Sequence, residues 1–520
     1  MAQRSKRKKG AAPSRPPKAV AGQRAFPWMI LLQAAILVAL GLWIYYPSLH
    51  GLWLWDDDFL IQNNEEVHAA AGLWYIWTDP STLIDFFPLT VSVEWLEWQI
   101  WPNETFCYHL TSLICHLVST MLVWRLFTKL GIRLAWLGAL LFVIHPVIVE
   151  SVAWMAELKN TLAMPPFLLA LCAWIDYQRT RRSEYFYFTM GLFLIAILCK
   201  ASVVMFPAII LLYAWWKRDR IVGRDLLHTV PFIVISAFVS MMVILYLRHG
   251  VGEQFIPLGG PLSRLACAGL SLAFYFSKAV LPFNLMPIYP QWDINPPAWY
   301  QFLPWPVLAL GVGWLWTRRQ HPWARAALFG FGFYFLNLLP FVGFRAISFM
   351  RFGWVMDHFQ YVPILGLFGL AAAAAGDIDR HFSPATRPWR AGALALVLAV
   401  LAVGSHRYTK AYVDRLAYWT YTARRNFVAW PAHNNRGNEL LDRGRYDEAL
   451  EEFKIALALN PKYTEAHNNL GYILCRQGRY DEAIAEFRAA LSYTPDFESA
   501  QQNLQHVLAL QAQHPTPHPQ

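Results

Sequence analysis

From Phe26 to Tyr46 the chain runs for 21 residues without a charged side chain. About 20 apolar residues in a helix cross the hydrocarbon core of a bilayer. In lipid, a single segment can satisfy its backbone N–H and C=O groups only as a helix. Ten more apolar segments follow, and spanning helices are read near 27–47, 107–127, 133–152, 160–178, 184–200, 202–216, 228–248, 303–317, 323–342, 362–378 and 391–406. The 520 residues are 56% hydrophobic and 16% aromatic, a content that soluble chains rarely carry. The fold class expected is all-α: a polytopic membrane domain of about eleven spans, followed by a soluble tail.

Charge placement orients these spans. Arg4, Lys6, Arg7, Lys8, Lys9, Arg15, Lys18 and Arg24 precede the first run with no acid among them. A basic tail can bind nucleic acid, but beside an apolar run it holds the N-terminus in the cytoplasm, so residues 1–25 are read as a cytoplasmic tail and no nucleic-acid partner is expected. No small-residue cleavage pattern follows, so the first run reads as an uncleaved anchor. The run 264–286 is ambiguous between a span and a re-entrant or interfacial segment. Pro282, Pro287, Pro290, Pro296 and Pro297 argue against a simple span there. With 264–286 not crossing, the clusters Arg125/Lys129/Arg133, Arg179/Arg181/Arg182, Lys217/Arg218/Arg220/Arg224, Arg318/Arg319 and Arg380/Arg387/Arg390 all fall inside. Lys159, Lys200, Arg345 and Arg351 then fall outside, where charge at helix ends is either snorkelling to headgroups or functional. The six cysteines form no disulfide framework.

The first outer loop, 48–106, opens with Trp55-Asp56-Asp57-Asp58. Three adjacent carboxylates repel one another and raise one another's pKa. They suit a site for a cation, a phosphate held with one, or proton chemistry. A solvated helix cap explains one of them well and three poorly. Further on, Trp95, Trp98 and Trp101 recur every three residues with Glu94 and Glu97 between, as in a helix lying in the interface with its Trp face down; a plain aromatic belt explains the pattern equally well.

The tail from 407 is charged and repetitive. Ala432-His433-Asn434-Asn435-Arg436-Gly437 recurs 34 residues later as Ala466-His467-Asn468-Asn469-Leu470-Gly471, and Gly444-Arg445-Tyr446-Asp447-Glu448-Ala449 as Gly478-Arg479-Tyr480-Asp481-Glu482-Ala483. That period and pattern is the tetratricopeptide repeat. Repeats at 432–465 and 466–499, capped by helices near 411–430 and 496–512, give a repeat domain over 407–512, with 513–520 disordered.

In order along the chain come Trp55-Asp56-Asp57-Asp58 with Asn63-Asn64, Phe87-Pro88-Leu89-Thr90, Tyr108-His109-Leu110 through His116, and His145-Pro146-Val147-Ile148-Val149-Glu150-Ser151-Val152-Ala153-Trp154. Glu157-Leu158-Lys159-Asn160, Leu198-Cys199-Lys200-Ala201-Ser202 and Asp357-His358-Phe359-Gln360-Tyr361 complete the set. This order, with the repeats at the end, resembles bacterial relatives of the TMTC proteins, O-mannosyltransferases of the GT-C class. The resemblance implies a GT-C-like domain over 26–406 in a bacterial inner membrane, with the repeats periplasmic. It implies a polyprenyl-phosphate-linked sugar donor, with mannose a candidate sugar, and transfer to a periplasmic protein or other acceptor. In that frame a first-loop carboxylate takes the acceptor proton, a role assigned to Asp57 first and Asp56 second. Asp58, His145, Glu150, Glu157, Lys159, Lys200, Arg351, Asp357 and His358 are expected to bind substrate. The leaving phosphate needs cations or a metal; a divalent cation (Mg or Mn) is compatible with the sequence and not demanded by it. Where the family often has Arg, this chain has Phe87 and Leu158, which puts a basic contact in question.

His109 and His116 are seven apart on one helix face, which is not the tight convergence that zinc requires, so no metal ligands are assigned. Two other classes compete. A membrane scaffold whose repeats recruit partners would need neither the acidic triplet nor the outer lysines. A transporter would be expected to show internal duplication, which is not evident.

Overall fold

Every apolar run read as a span is helical in the computed structural model, which describes residues 27–79, 83, 86–250, 258–344 and 346–513. The basic tail read over 1–25, Arg345, and 514–520 of the tail end lie outside the described residues. No strand occurs among those described.

The first helix, α1 (Pro27–Leu49), packs against α5 (Thr105–Leu130) and α16 (Arg387–Thr409). Between α1 and α5 the first loop holds α2 (Glu65–His68), α3 (Gly72–Thr78) and α4 (Pro88–Ile100). The central helices are α6 (Ala135–Ile144), α7 (Val149–Ala153), α8 (Leu158–Thr180), α9 (Ser183–Cys199), α10 (Phe206–Arg218) and α11 (Gly223–Gly250). Then come α12 (Pro261–Val280), α13 (Pro304–Thr317), α14 (Pro322–Leu338) and α15 (Leu365–His381). Among the described residues six helices are long and apolar enough to cross a membrane alone: α1, α5, α8, α11, α14 and α16, some with a flanking turn. The remaining helices at the eleven positions are shorter. The span count of eleven therefore rests on short helices that need a thinned bilayer or polar ends. α12 carries Arg264 and Lys278 and is not among the six.

One run departs from the sequence reading. Residues 133–152, read as a single span, are two helices bent by 57° at His145-Pro146. Proline removes a backbone donor and pushes the residue before it out of the helical region; His145 sits at φ −78°, ψ 128°. The break turns α7 off the line of α6.

Alternate helix ends gather at two faces. One holds Lys129–Asp176, Arg133–Asp379, Arg218–Asp225 and Arg387–Asp379, drawn from the basic clusters. The other holds the first loop, the 145–158 bend, Lys200 and the 346–364 segment. The core between them is apolar and close-packed. Where α14 crosses α15, a Cβ at Gly366 would overlap the Gly330 carbonyl oxygen. Gly366→Ala is expected to destabilise the protein by about 1–3 kcal/mol, since backbone at an interhelical crossing yields little. Its detergent-solubilised melting temperature should fall accordingly.

The tail forms α17 (Arg415–Arg425), the hairpins α18 (Trp430–Asp442) with α19 (Tyr446–Leu459) and α20 (Thr464–Arg476) with α21 (Tyr480–Tyr493), and α22 (Glu498–Gln513). The repeat period has a packing cause. A Cβ at Gly437 would lie 2.6 Å from the Phe453 ring, and one at Gly471 would lie 2.8 Å from the Phe487 ring, so each hairpin closes glycine against phenylalanine.

Candidate functional site

The acidic triplet does not project as a unit; its three carboxylates are handled in three ways. Asp57 is fully buried: the Leu54 N–H donates to its Oδ2 at 2.8 Å and the Ala156 N–H to its Oδ1 at 2.7 Å. Burial pushes this carboxyl well above the usual carboxylate range, and the two backbone N–H bonds pull the other way. Asp58 pairs with Arg415 at the start of α17. Asp56 is partly exposed on the same turn. Asp57 thus pins the first loop to the turn that leads into α8.

That turn presents Glu157. Its carboxylate meets Lys159 Nζ at 3.3 Å and Lys200 Nζ at 3.1 Å, accepts from the Asn160 side-chain amide, and lies 3.8 Å from His358 Nε2. Glu157 and Lys200 are both buried. His358 Nδ1 shares a 2.7 Å hydrogen bond with Glu150 Oε1. Burial holds His358 down to about 3 despite Glu157 nearby, so the imidazole is neutral at physiological pH. Asp357 accepts from the Tyr289 hydroxyl at 3.0 and 3.1 Å, and burial raises it to about 7 against the pull of that bond and of Lys278. A chain of direct contacts therefore joins Glu150, His358, Glu157, Lys159 and Lys200, with Asp357 adjoining and Asp57 docked one residue away. Two cations flank one carboxylate here, an arrangement that can exchange that carboxylate for another anion.

Two expected residues stand apart from this network. His145 takes the Val147 N–H on Nδ1 at 3.4 Å, capping the bend, and packs on Phe368. Arg351 is exposed and lies over the Phe352 ring, which in turn touches Trp55. Trp55 also stacks parallel to Trp154 and meets Trp419 edge-on, so aromatic rings floor the loop between the membrane domain and α17. Among the described residues no group of three or more His, Cys, Asp or Glu converges as a metal site. His116 Nδ1 bonds the Tyr361 hydroxyl at 2.9 Å deep in the bundle.

Sequence reasoning missed Tyr289, Asn160 and Arg415, and misjudged the inward face of α4. The tryptophans do not all point outward: Trp95 Nε1 donates to the Ala69 carbonyl and Trp98 stacks on His68. Leu96, Ile100 and Trp101 are the exposed face, while Glu94 and Glu97 are buried. Burial pushes Glu94 from 4.5 up to about 7 although Lys159 opposes it, and Glu97 up to about 8. Both acids bind a proton more tightly folded than unfolded. Stability from them is present below about pH 4.5 and is lost as pH rises through 7 to 8. The double variant Glu94→Gln/Glu97→Gln should melt like wild type at pH 5 and above it at pH 8.5; parallel curves across that range would refute the titration.

Comparison with known proteins follows the same division of the chain. Residues 88–244 match the family described as dolichyl-phosphate-mannose-protein mannosyltransferase, and residues 434–510 match the tetratricopeptide repeat. The chain is 24% identical over 468 residues to a protein O-mannosyl-transferase of Caenorhabditis elegans, covering 83% of this chain and 63% of that protein. It is 22% identical over 504 residues to protein O-mannosyl-transferase Tmtc3 of Drosophila melanogaster, covering 80% and 54%. Human protein O-mannosyl-transferase TMTC1 is 29% identical over 160 residues, 28% of this chain and 18% of that one. The chain thus spans less than two thirds of the length of these relatives. The crystal structure of ArnT from Cupriavidus metallidurans bound to undecaprenyl phosphate has a TM-score of 0.40 at 16% identity, covering 89% of this chain and 80% of that one.

Proposed function

We propose that this chain, a homologue of the protein O-mannosyl-transferases, is a membrane glycosyltransferase that moves a sugar from a polyprenyl-phosphate donor to a hydroxyl on an extracytoplasmic protein or other acceptor. The reading rests on its homology and on one observation above the rest: a carboxylate loop pinned by Asp57 to a turn where Lys159 and Lys200 flank Glu157. The family's described donor, dolichyl-phosphate-mannose, supports a lipid phosphate sugar with mannose the first to try.

In this reading the acceptor oxygen bonds to the anomeric carbon as the bond from that carbon to the phosphate oxygen breaks, with inversion. The acceptor proton passes to a first-loop carboxylate. The geometry favours Asp56 for this role over Asp57, because both Asp57 oxygens already hold backbone N–H groups. Lys159 and Lys200 stabilise the charge left on the phosphate, with Arg351 at the rim. Glu157 holds the two lysines in place, and Glu150, His358 and Asp357 hold Glu157 and the 357–360 turn. His145 fixes the bend that carries Glu150. Asp58, tied to Arg415, joins the loop to the repeat domain over 407–512. The repeats bind the acceptor or a partner protein. The N-terminus is cytoplasmic, and the loop 48–106 and the repeats are extracytoplasmic.

The test is incubation of purified protein with labelled polyprenyl-phosphate sugars, mannose included, and a peptide acceptor. Transfer from one of them is expected. Absence of both transfer and donor binding across the panel would leave a scaffold, and cysteine labelling that reaches the tail only after cell lysis would overturn the orientation.

A further inference from the structure

One cavity lies away from the site above. A space of about 300 Å³ opens at the opposite end of the bundle, among α5, α8, α10, α14 and α15. Its walls are apolar and aromatic, with Phe127, Trp174, Tyr213, Trp216 and Phe329 prominent. Its charged lining residues are Arg133, Asp377 and Arg380, which mark its mouth.

The charges around that mouth are unequal. Arg133 and Arg387 each approach Asp379 at 3.5 Å, and Arg133 also donates to the Gly376 carbonyl. Lys217 lies 3.7 Å over the ring of Trp216, one of the walls. Lys129 is matched by Asp176. Arg133, Lys217, Arg380 and Arg387 therefore face two acids, Asp377 and Asp379. An apolar slot of this size takes a stretch of hydrocarbon chain, and a basic surplus at its mouth takes a phosphate rather than an ammonium. Both groups belong to one molecule in a bilayer.

We infer that this cavity is a site for one anionic phospholipid, with an acyl chain inside it and the headgroup phosphate between Arg133 and Arg380. The inference does not depend on the transferase reading, since the cavity lies at the other end of the molecule from Asp57 and Lys200. A phospholipid here would fill a void at the junction of five helices, where an empty space forfeits packing.

The full chain, purified from membranes and equilibrated with equal phosphatidylglycerol and phosphatidylcholine, would be stripped and its retained lipid measured by native mass spectrometry. About one phosphatidylglycerol per chain is expected, enriched at least about fivefold, the factor that one basic residue at a membrane surface supplies. Arg133→Gln/Arg380→Gln should abolish the enrichment, and Ala373→Phe, which fills the slot, should abolish retention. Equal retention of the two lipids, or wild-type enrichment in the double Gln variant, would overturn the proposal. Should Ala373→Phe fail to fold, the double Gln variant decides the matter alone.

Discussion

Asp56→Asn is expected to lower sugar transfer by about 10²–10⁴ while leaving the melting temperature unchanged or slightly raised. Removing a general base costs that much in rate, and Asn cannot take a proton. Relief of the repulsion between Asp56 and Asp57 works toward stability. Asp57→Asn should behave otherwise. Its carboxylate accepts backbone N–H groups from Leu54 and Ala156 in a fully buried setting. An amide can accept from one of them through its oxygen and must turn its NH₂ toward the other. The orphaned donor costs about 1–3 kcal/mol, so the protein should melt lower and the turn before Glu157 should loosen. Differential scanning fluorimetry and a single-turnover assay separate the two. Full activity in a folded Asp56→Asn enzyme would remove Asp56 as the base. Full activity in both variants and in their combination would sink the transferase reading itself.

Lys200→Ala is expected to destabilise the folded protein by about 3–5 kcal/mol, because a buried ion pair loses one partner and leaves the other uncompensated. Lys200 and Glu157 are both buried and 3.1 Å apart. Lys159 still faces Glu157 at 3.3 Å and limits the damage. Donor affinity should also fall, since a cation beside the leaving phosphate is gone. The control is Lys200→Met with Glu157→Gln, which removes both charges. That pair should recover much of the stability and none of the donor binding. If donor binding returns with stability, Lys200 is a structural counter-ion and not a phosphate contact.

The two variants bear on how much of the site could be read beforehand. Apolar runs marked helix positions well, because a chain in lipid has no alternative to hydrogen-bonding within itself. The 34-residue recurrence marked the hairpins, because each needs its Gly437–Phe453 or Gly471–Phe487 closure. Lys159 and Lys200 stood out as charges at outer helix ends, Glu150, Glu157 and His358 came from the family resemblance, and the structure joins them. What escaped is pairing over distance. Nothing near Asp58 announces Arg415, which lies 357 positions away. Nothing in the proline-rich stretch after α12 singles out Tyr289 as the donor to Asp357. The order of the triplet also escaped, because which of three adjacent carboxylates turns inward depends on the turn at Leu54 and not on the residues themselves. The bend at His145-Pro146 was legible and was read as continuous helix, since the apolar run overrode the proline.

The capping helix of the repeat domain follows the last membrane helix almost without a gap: α16 ends at Thr409 and α17 begins at Arg415. In between, the Val413 carbonyl takes the Leu52 N–H at 2.8 Å, and beyond it Tyr421 and Asn426 donate to the Leu285 and Ile288 carbonyls. Such a junction is a weld and not a swivel. Load applied to the repeat domain passes through the Arg415–Asp58 pair to the turn that holds Asp56 and Asp57.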